Sequence, residues 1–199
     1  MSARAAELVE RREIWSGRVV HLRVDRVRFP DGREGEMEWI RHSGAAAILP
    51  LLDPPDHPDP RVLLIHQVRY CVATRLYEIP AGRPDHPKEP WEDCAARELE
   101  EETGWRAGAL HYRTRLVTTP GFSDEEVHLF VATDLQKGVV QRDFDEDIEL
   151  RALPLSEAMD GIRHGEIVDA KTVAALLHLR VFPLVPGAPS PLPPVRRGF

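Results

Sequence analysis

The stretch between Pro90 and Gly104 constrains this chain more than any other, because it reads as a helix that gathers four glutamates at one end. Pro90 suits a helix start, where its missing N–H costs nothing, and Glu92 and Asp93 fall where the helix dipole favours negative charge. Gly104 suits the left-handed position that closes a helix, so the predicted span runs from about Pro90 to Thr103. Within it Glu98, Glu101 and Glu102 crowd one edge, beside Ala95 and Leu99, which belong to the face that packs on a sheet. Like charges at that spacing oppose helix formation unless something cationic lies among them. Arg97 neutralises part of the charge, and a hard divalent cation with oxygen ligands would neutralise more. A run of glutamates alone usually marks a solvated face. Here a Pro80-Ala81-Gly82 turn precedes the helix, an Arg97-Glu98 pair opens the run and Gly104 closes it.

Around this helix the chain reads as short strands. Residues 1–12 are expected to be a frayed or helical lead-in. Alternating apolar and charged residues from Val19 to Phe29, then Pro30-Asp31-Gly32, then Glu36–Ile40, read as half-buried strands joined by a hairpin turn. A sheet that small needs a surface to pack on. Ser43–Leu52 reads as the first core strand, and Arg61–Val68 as a buried one. The loop between them holds four prolines in the eight residues 53–60. Leu76–Ile79, Ala109–Thr118, Val127–Ala132 and Ile148–Pro154 follow as strands, with an acidic segment at Gln141–Glu149. Ser156 is the expected cap of a helix over Glu157–His164, and Asp169 or Ala170 opens another over Lys171–Arg180. Six prolines and no periodicity in residues 183–199 predict a disordered tail.

Charge and composition exclude some classes of function. A formal net charge of −7 over 199 residues lacks the basic surface that non-specific nucleic-acid binding needs. An anionic substrate must then be drawn in by local positive charge or by metal. No apolar run approaches the ~20 residues that span a bilayer, and the N-terminus has no apolar signal region. Cys71 and Cys94 form neither a disulfide framework nor a metal-ligand spacing, so a reducing cytoplasm is the expected compartment.

The segment Arg97-Glu98-Leu99-Glu100-Glu101-Glu102-Thr103-Gly104-Trp105 resembles the second half of the Nudix box, Gly-x5-Glu-x7-Arg-Glu-U-x-Glu-Glu-x-Gly-U, where U is a bulky apolar residue. Glu89 lies eight residues before Arg97, as that pattern asks. Six residues rather than five separate Gly82 from Glu89, and Trp105 stands where an aliphatic is usual. Two further elements resemble the ADP-ribose pyrophosphatase branch. Gln67-Val68-Arg69 is similar to its Gln-x-Arg element, and Pro120-Gly121-Phe122-Ser123-Asp124-Glu125 to its loop, with Pro120 16 residues beyond Gly104.

The resemblance implies an α/β fold, the Nudix α/β/α sandwich with a mixed sheet, plus a small N-terminal antiparallel β-sheet. The implied division is 1–42 for that sheet, 43–182 for the catalytic domain and 183–199 for the tail. It implies metal-dependent hydrolysis of a nucleoside diphosphate linked to another moiety, with ADP-ribose the favoured substrate, and Mg²⁺ as the ion, with Mn²⁺ as the alternative. Carried over residue by residue, Glu98, Glu101 and Glu102 and the Ala81 carbonyl are expected to ligate metal. Glu125, Glu101 and Arg97 have catalytic roles, with Glu125 the best candidate base. Gln67, Arg69, Glu78 and Pro120 contact substrate, and Glu89 braces the loop. Trp15, Trp39 and Phe122 remain alternatives for stacking on the base. A homodimer through the N-terminal sheet is expected. Two other readings stay open: a GDP-sugar such as GDP-mannose as substrate, and a sensor that binds nucleotide without cutting it, which the retained glutamates and the lack of a basic helix-turn-helix disfavour.

Overall fold

The computed structural model describes residues 6–138 and 147–185. One compact unit comprises Met1–Gly44 with Val117–Glu126, and the other Ala45–Leu116 with Val127–Phe199. In the first, β1 (Glu7–Ser16), β2 (His21–Arg28) and β3 (Glu34–Arg41) form an antiparallel sheet in that order. Gly32 turns the β2–β3 hairpin at φ +86°, a conformation glycine adopts without strain, and donates its N–H to the Phe29 carbonyl at 2.9 Å. Strand β1 corrects the expectation of a frayed or helical lead-in. Nearly every residue of β1 is exposed, so it lacks the alternation that reveals a half-buried strand. Ladder pairing and cross-strand ion pairs hold it instead. Arg11 grips buried Asp25 through Nε at 2.9 Å and Nη2 at 2.8 Å, and Arg12 reaches Glu36. The loop at Thr119–Glu125 is tied to the end of β3, where the Ile40 N–H donates to the Phe122 carbonyl at 2.8 Å.

The second unit is organised by two strands buried on both faces. β4 (Ala45–Pro50) runs parallel to β10 (Glu126–Thr133), and the sheet order is β7-β4-β10-β9, with β7 (Ala81–Gly82) antiparallel to β4 and β9 (Ala109–Val117) at the other edge. A second, antiparallel sheet has the order β12-β5-β6, from Ile148–Pro154, Arg61–Arg69 and Thr74–Glu78. A small ladder joins β8 (Trp105–Arg106) and β11 (Gln136–Lys137). The sheet containing β4 is therefore mixed, as expected.

Residue parity sorts the core. Ala46, Ile48, Phe130 and Ala132 face α1 (Trp91–Thr103), where Trp91, Cys94, Ala95 and Leu99 meet them. Ala47, Leu49, Leu129 and Val131 face the other way. There α2 (Leu155–His164) contributes Ala158, and α3 (Ala170–Val181) contributes Ala175, Leu176 and Leu179. Side chains alternate across a strand, so continuous apolar runs are what a helix-covered sheet requires.

Helix α1 ends at Gly104, φ +70°, whose N–H donates to the Glu100 carbonyl at 2.7 Å. Helix α3 starts at Asp169, whose side chain accepts from the Thr172 N–H. Ser156 does not cap α2. It lies inside the first turn and donates its hydroxyl to Asp59 at 2.7 Å, because the proline-rich loop brings that carboxylate to the helix start. Residues 186–199 of the predicted tail and 139–146 lie outside the described residues. Among the described residues, no helix is long and apolar enough to cross a membrane.

Candidate active site

Ala81, Arg97, Glu98, Glu101 and Glu102 lie where β7 passes α1, and Arg97 ties Glu98 and Glu101 to Glu89. Its Nη1 donates to Glu98 at 2.8 Å and to Glu101 at 2.9 Å, while Nε reaches Glu89 at 3.1 Å. Nη2 donates to the Arg83 carbonyl at 2.9 Å, so the same guanidinium fixes the loop before the helix. Asp85 adds a carboxylate at 3.3 Å. Burial disfavours the charge on Arg97, yet its bonds to Glu89 and the neighbouring Glu98 hold it even more firmly protonated than a free guanidinium. Glu89 is likewise buried, which alone would raise its pKa. The Arg97 bonds and the Asp85 N–H at 2.8 Å outweigh that and hold it below the usual value.

Glu102, only 4 % exposed, accepts from the Ala81 N–H at 3.2 Å. Glu98 is 9 % exposed and fills the space beside Gly82, where a Cβ would come within 2.1 Å of its carboxyl carbon. Any side chain at position 82 must push that carboxylate away. Cys94 packs beneath the same turn, its Sγ 3.7 Å from the Gly82 carbonyl, and burial pushes its thiol pKa up to about 12. Glu100 points elsewhere and pairs with Arg106 at 2.8 Å. Helical geometry thus separates Glu98, Glu101 and Glu102 from the fourth glutamate of the run.

A second cluster gathers around Glu78, which is 1 % exposed. Arg69 binds it through two parallel bonds, Nε at 2.6 Å and Nη2 at 2.7 Å. Lys171 bonds the same carboxylate and lies 3.1 Å from Asp169. Burial of Glu78 opposes its ionisation, but the Arg69 and Lys171 contacts prevail and hold its pKa low. Arg69 remains 44 % exposed at its side chain, and the charge of Glu102 also reaches it. Gln67 is buried in β5, paired with Leu76 on one side and Ile148 on the other.

Glu125 and Pro120 belong to the other compact unit. There the Glu125 carboxylate accepts from the Thr118 hydroxyl at 2.6 Å and lies 3.5 Å from His42 Nδ1. The His42 N–H donates to Asp124 at 2.7 Å. Trp39 packs near Arg11 and Arg23, and Trp15 and Phe122 are exposed. Lys171, Thr172, His42 and Gly82 were not singled out by the sequence as site residues. The only signal for Lys171 is the need of a buried carboxylate for compensating charge, and its partner is 93 residues away.

The carboxylates near β7 and α1 offer hard oxygens, the type Mg²⁺ takes. Among the described residues, no three His, Cys, Asp or Glu side chains stand as a ready-made metal cage. Mg²⁺ ordinarily uses one or two carboxylates with waters and substrate phosphates rather than an all-protein cage. The space that Gly82 leaves for Glu98, and the gathering of Asp85, Glu89, Glu98 and Glu101 around Arg97, fit such an ion.

A NUDIX domain profile matches residues 41–176, and the chain belongs to the Nudix family. It is 35% identical over 183 residues to the ADP-ribose pyrophosphatase of Bacillus subtilis, covering 91% of this chain and 96% of that one. It is 39% identical over 155 residues to the GDP-mannose pyrophosphatase of Cronobacter sakazakii, covering 72% of this chain and 76% of that one. Its fold matches a crystal structure of an ADP compounds hydrolase with a TM-score of 0.78, at 22% identity, over 92% of this chain and 96% of that chain.

Proposed function

We propose that this Nudix protein hydrolyses the diphosphate of ADP-ribose, adding water across one P–O bond to give AMP and ribose 5-phosphate. The observation that carries the reading is the carboxylate-rich cluster around Arg97, in a chain similar along almost its whole length to an ADP-ribose pyrophosphatase. Glu98, Glu102 and the Ala81 carbonyl are the groups assigned to hold Mg²⁺, with Glu101 as an additional or water-mediated ligand. When bound, such an ion neutralises phosphate oxygens and lowers the pKa of a coordinated water. Arg97 orients the glutamates, and Glu89 holds Arg97 and the loop. Arg69, fixed by Glu78, offers a guanidinium edge suited to phosphate oxygens. The proton lost by the attacking water needs a nearby carboxylate. Glu125 is assigned that part on the likeness of its loop sequence, and Glu101 is the second candidate.

GDP-mannose is the second reading, favoured by the similarity to a GDP-mannose pyrophosphatase. A homodimer through the N-terminal sheet belongs to the same proposal, supported by exposed Leu8, Ile14, Trp15 and Met37 on its strands. Sedimentation as a monomer at micromolar concentration would contradict it. The substrate is tested by incubating the protein with ADP-ribose and GDP-mannose separately, with Mg²⁺ or EDTA, and resolving the nucleotides. Faster, metal-dependent AMP release supports the first reading. Faster GMP release moves the substrate to the second, and cleavage of neither sinks both.

A further inference from the structure

The first turn of α3 reaches the candidate site from far along the chain. Lys171 bonds the Glu78 carboxylate, and Thr172, fully buried, accepts the Ile79 N–H at its hydroxyl at 2.8 Å. The same hydroxyl donates to Asp169, the cap of α3, at 2.6 Å. Consecutive residues of α3 therefore hold Glu78, the last residue of β6, and Ile79, the residue after it. Downstream of Ile79 there is little slack. Pro80 has a fixed φ, and its carbonyl accepts the Ile48 N–H at 2.9 Å. The next residue is Ala81, whose N–H bonds Glu102. Upstream, Glu78 holds Arg69 through two bonds.

We infer that Lys171 and Thr172 are positioning residues with separate effects: Thr172 sets the Ala81–Glu102 contact through Ile79, and Lys171 sets the Arg69 guanidinium through Glu78. The inference rests on the functional reading above, in which Glu102 holds metal and Arg69 binds phosphate. Two features favour this over general packing. Thr172 spends its hydroxyl on one backbone N–H of the segment leading to Ala81, and Lys171 aims its charge at a carboxylate that Arg69 already neutralises. Neither contact is required merely to cover an apolar face.

The test compares Thr172→Val, Thr172→Ser and Lys171→Met with the wild type. Two readouts are used: Mn²⁺ binding to the substrate-free protein by electron paramagnetic resonance, and the separate kcat and KM for ADP-ribose. Thr172→Val should weaken Mn²⁺ binding roughly tenfold, in the range of outer-shell changes at metal sites, and lower kcat with KM little changed. Thr172→Ser, which keeps the hydroxyl, should restore both. Lys171→Met should raise KM and leave Mn²⁺ binding near wild type; its side chain lies nearer the surface, so it carries the test even if the valine variant fails to fold. Wild-type Mn²⁺ binding with all three variants unchanged, or a serine variant as impaired as the valine one, overturns this inference alone. A wild type that neither binds Mn²⁺ nor cleaves ADP-ribose overturns the functional reading and this inference with it.

Discussion

The clusters around Arg97 and Glu78 both join carboxylates to a guanidinium but differ in charge balance. Around Arg97, one guanidinium faces Asp85, Glu89, Glu98 and Glu101. Around Glu78, two carboxylates and two cations balance, with Asp169 and Lys171 completing the pair of Glu78 and Arg69. A buried charge is tolerated where it is paired and hydrogen-bonded, so the balanced cluster is complete as it stands. The acid-rich one gathers four carboxylates within reach of one guanidinium, and an added cation would lower their mutual repulsion. Charge balance thus separates the cluster that holds the framework from the one assigned to metal.

That contrast predicts opposite responses to the same kind of substitution. Glu102→Gln keeps an acceptor for the Ala81 N–H and removes one negative charge from the helix edge that Glu102 shares with Glu98. The melting temperature of the metal-free variant should not fall. Its turnover should drop on the order of 100-fold or more, because metal stabilisation of several kcal/mol is at stake and each ~1.4 kcal/mol is tenfold. Glu78→Gln should do the reverse to stability. It removes the carboxylate that Arg69 and Lys171 share, and denaturant unfolding should show a loss of about 3 kcal/mol, the low end for a broken buried pair because Arg69 is half exposed and Lys171 keeps Asp169. Equal stability effects from the two substitutions would break the comparison.

Gly82→Ala sharpens it by geometry alone. The added Cβ meets the Glu98 carboxylate, so Mg²⁺ dependence should shift to higher concentration by roughly tenfold, read from initial rates. A smaller effect is expected with pH. Glu89 has a folded-state pKa below its ordinary value, so the stability it contributes is present above the ordinary carboxylate range and is lost as pH falls through the folded value. Melting temperatures from about pH 5 down to about pH 3, where a carboxylate held below its ordinary value takes up its proton, should therefore fall less steeply in Glu89→Gln than in the wild type. The mildest test is chemical: at neutral pH a thiol reagent should label exposed Cys71 and leave buried Cys94 unmodified until the protein unfolds.

Helix α1 was legible in the sequence because local signals agreed: Pro90 before it, acids in its first turn, Gly104 after it, and glutamates at helical spacing. The two-sided burial of β4 and β10 was legible as apolar runs. Strand β1 was not, since a strand exposed on both faces carries no period-2 pattern. The position of Glu98, Glu101 and Glu102 along one edge followed from the helical repeat, whereas the pairing of Glu100 with Arg106, beyond the helix end, did not. The Lys171 and Thr172 contacts did not, because tertiary pairing across 93 residues leaves no local trace. Ser156 misled for a related reason: its sequence position suits a cap, but the Asp59 carboxylate reaches the helix start and takes its hydroxyl.

The central claim, that the acid-rich cluster on α1 holds the metal that drives hydrolysis, is tested most directly by titrating Mg²⁺ into wild type and Glu102→Gln while following AMP release from ADP-ribose. The account predicts saturable, EDTA-sensitive release by the wild type and loss of most turnover in the variant, with its fold intact. Undiminished turnover by Glu102→Gln at the same Mg²⁺ concentration would contradict it.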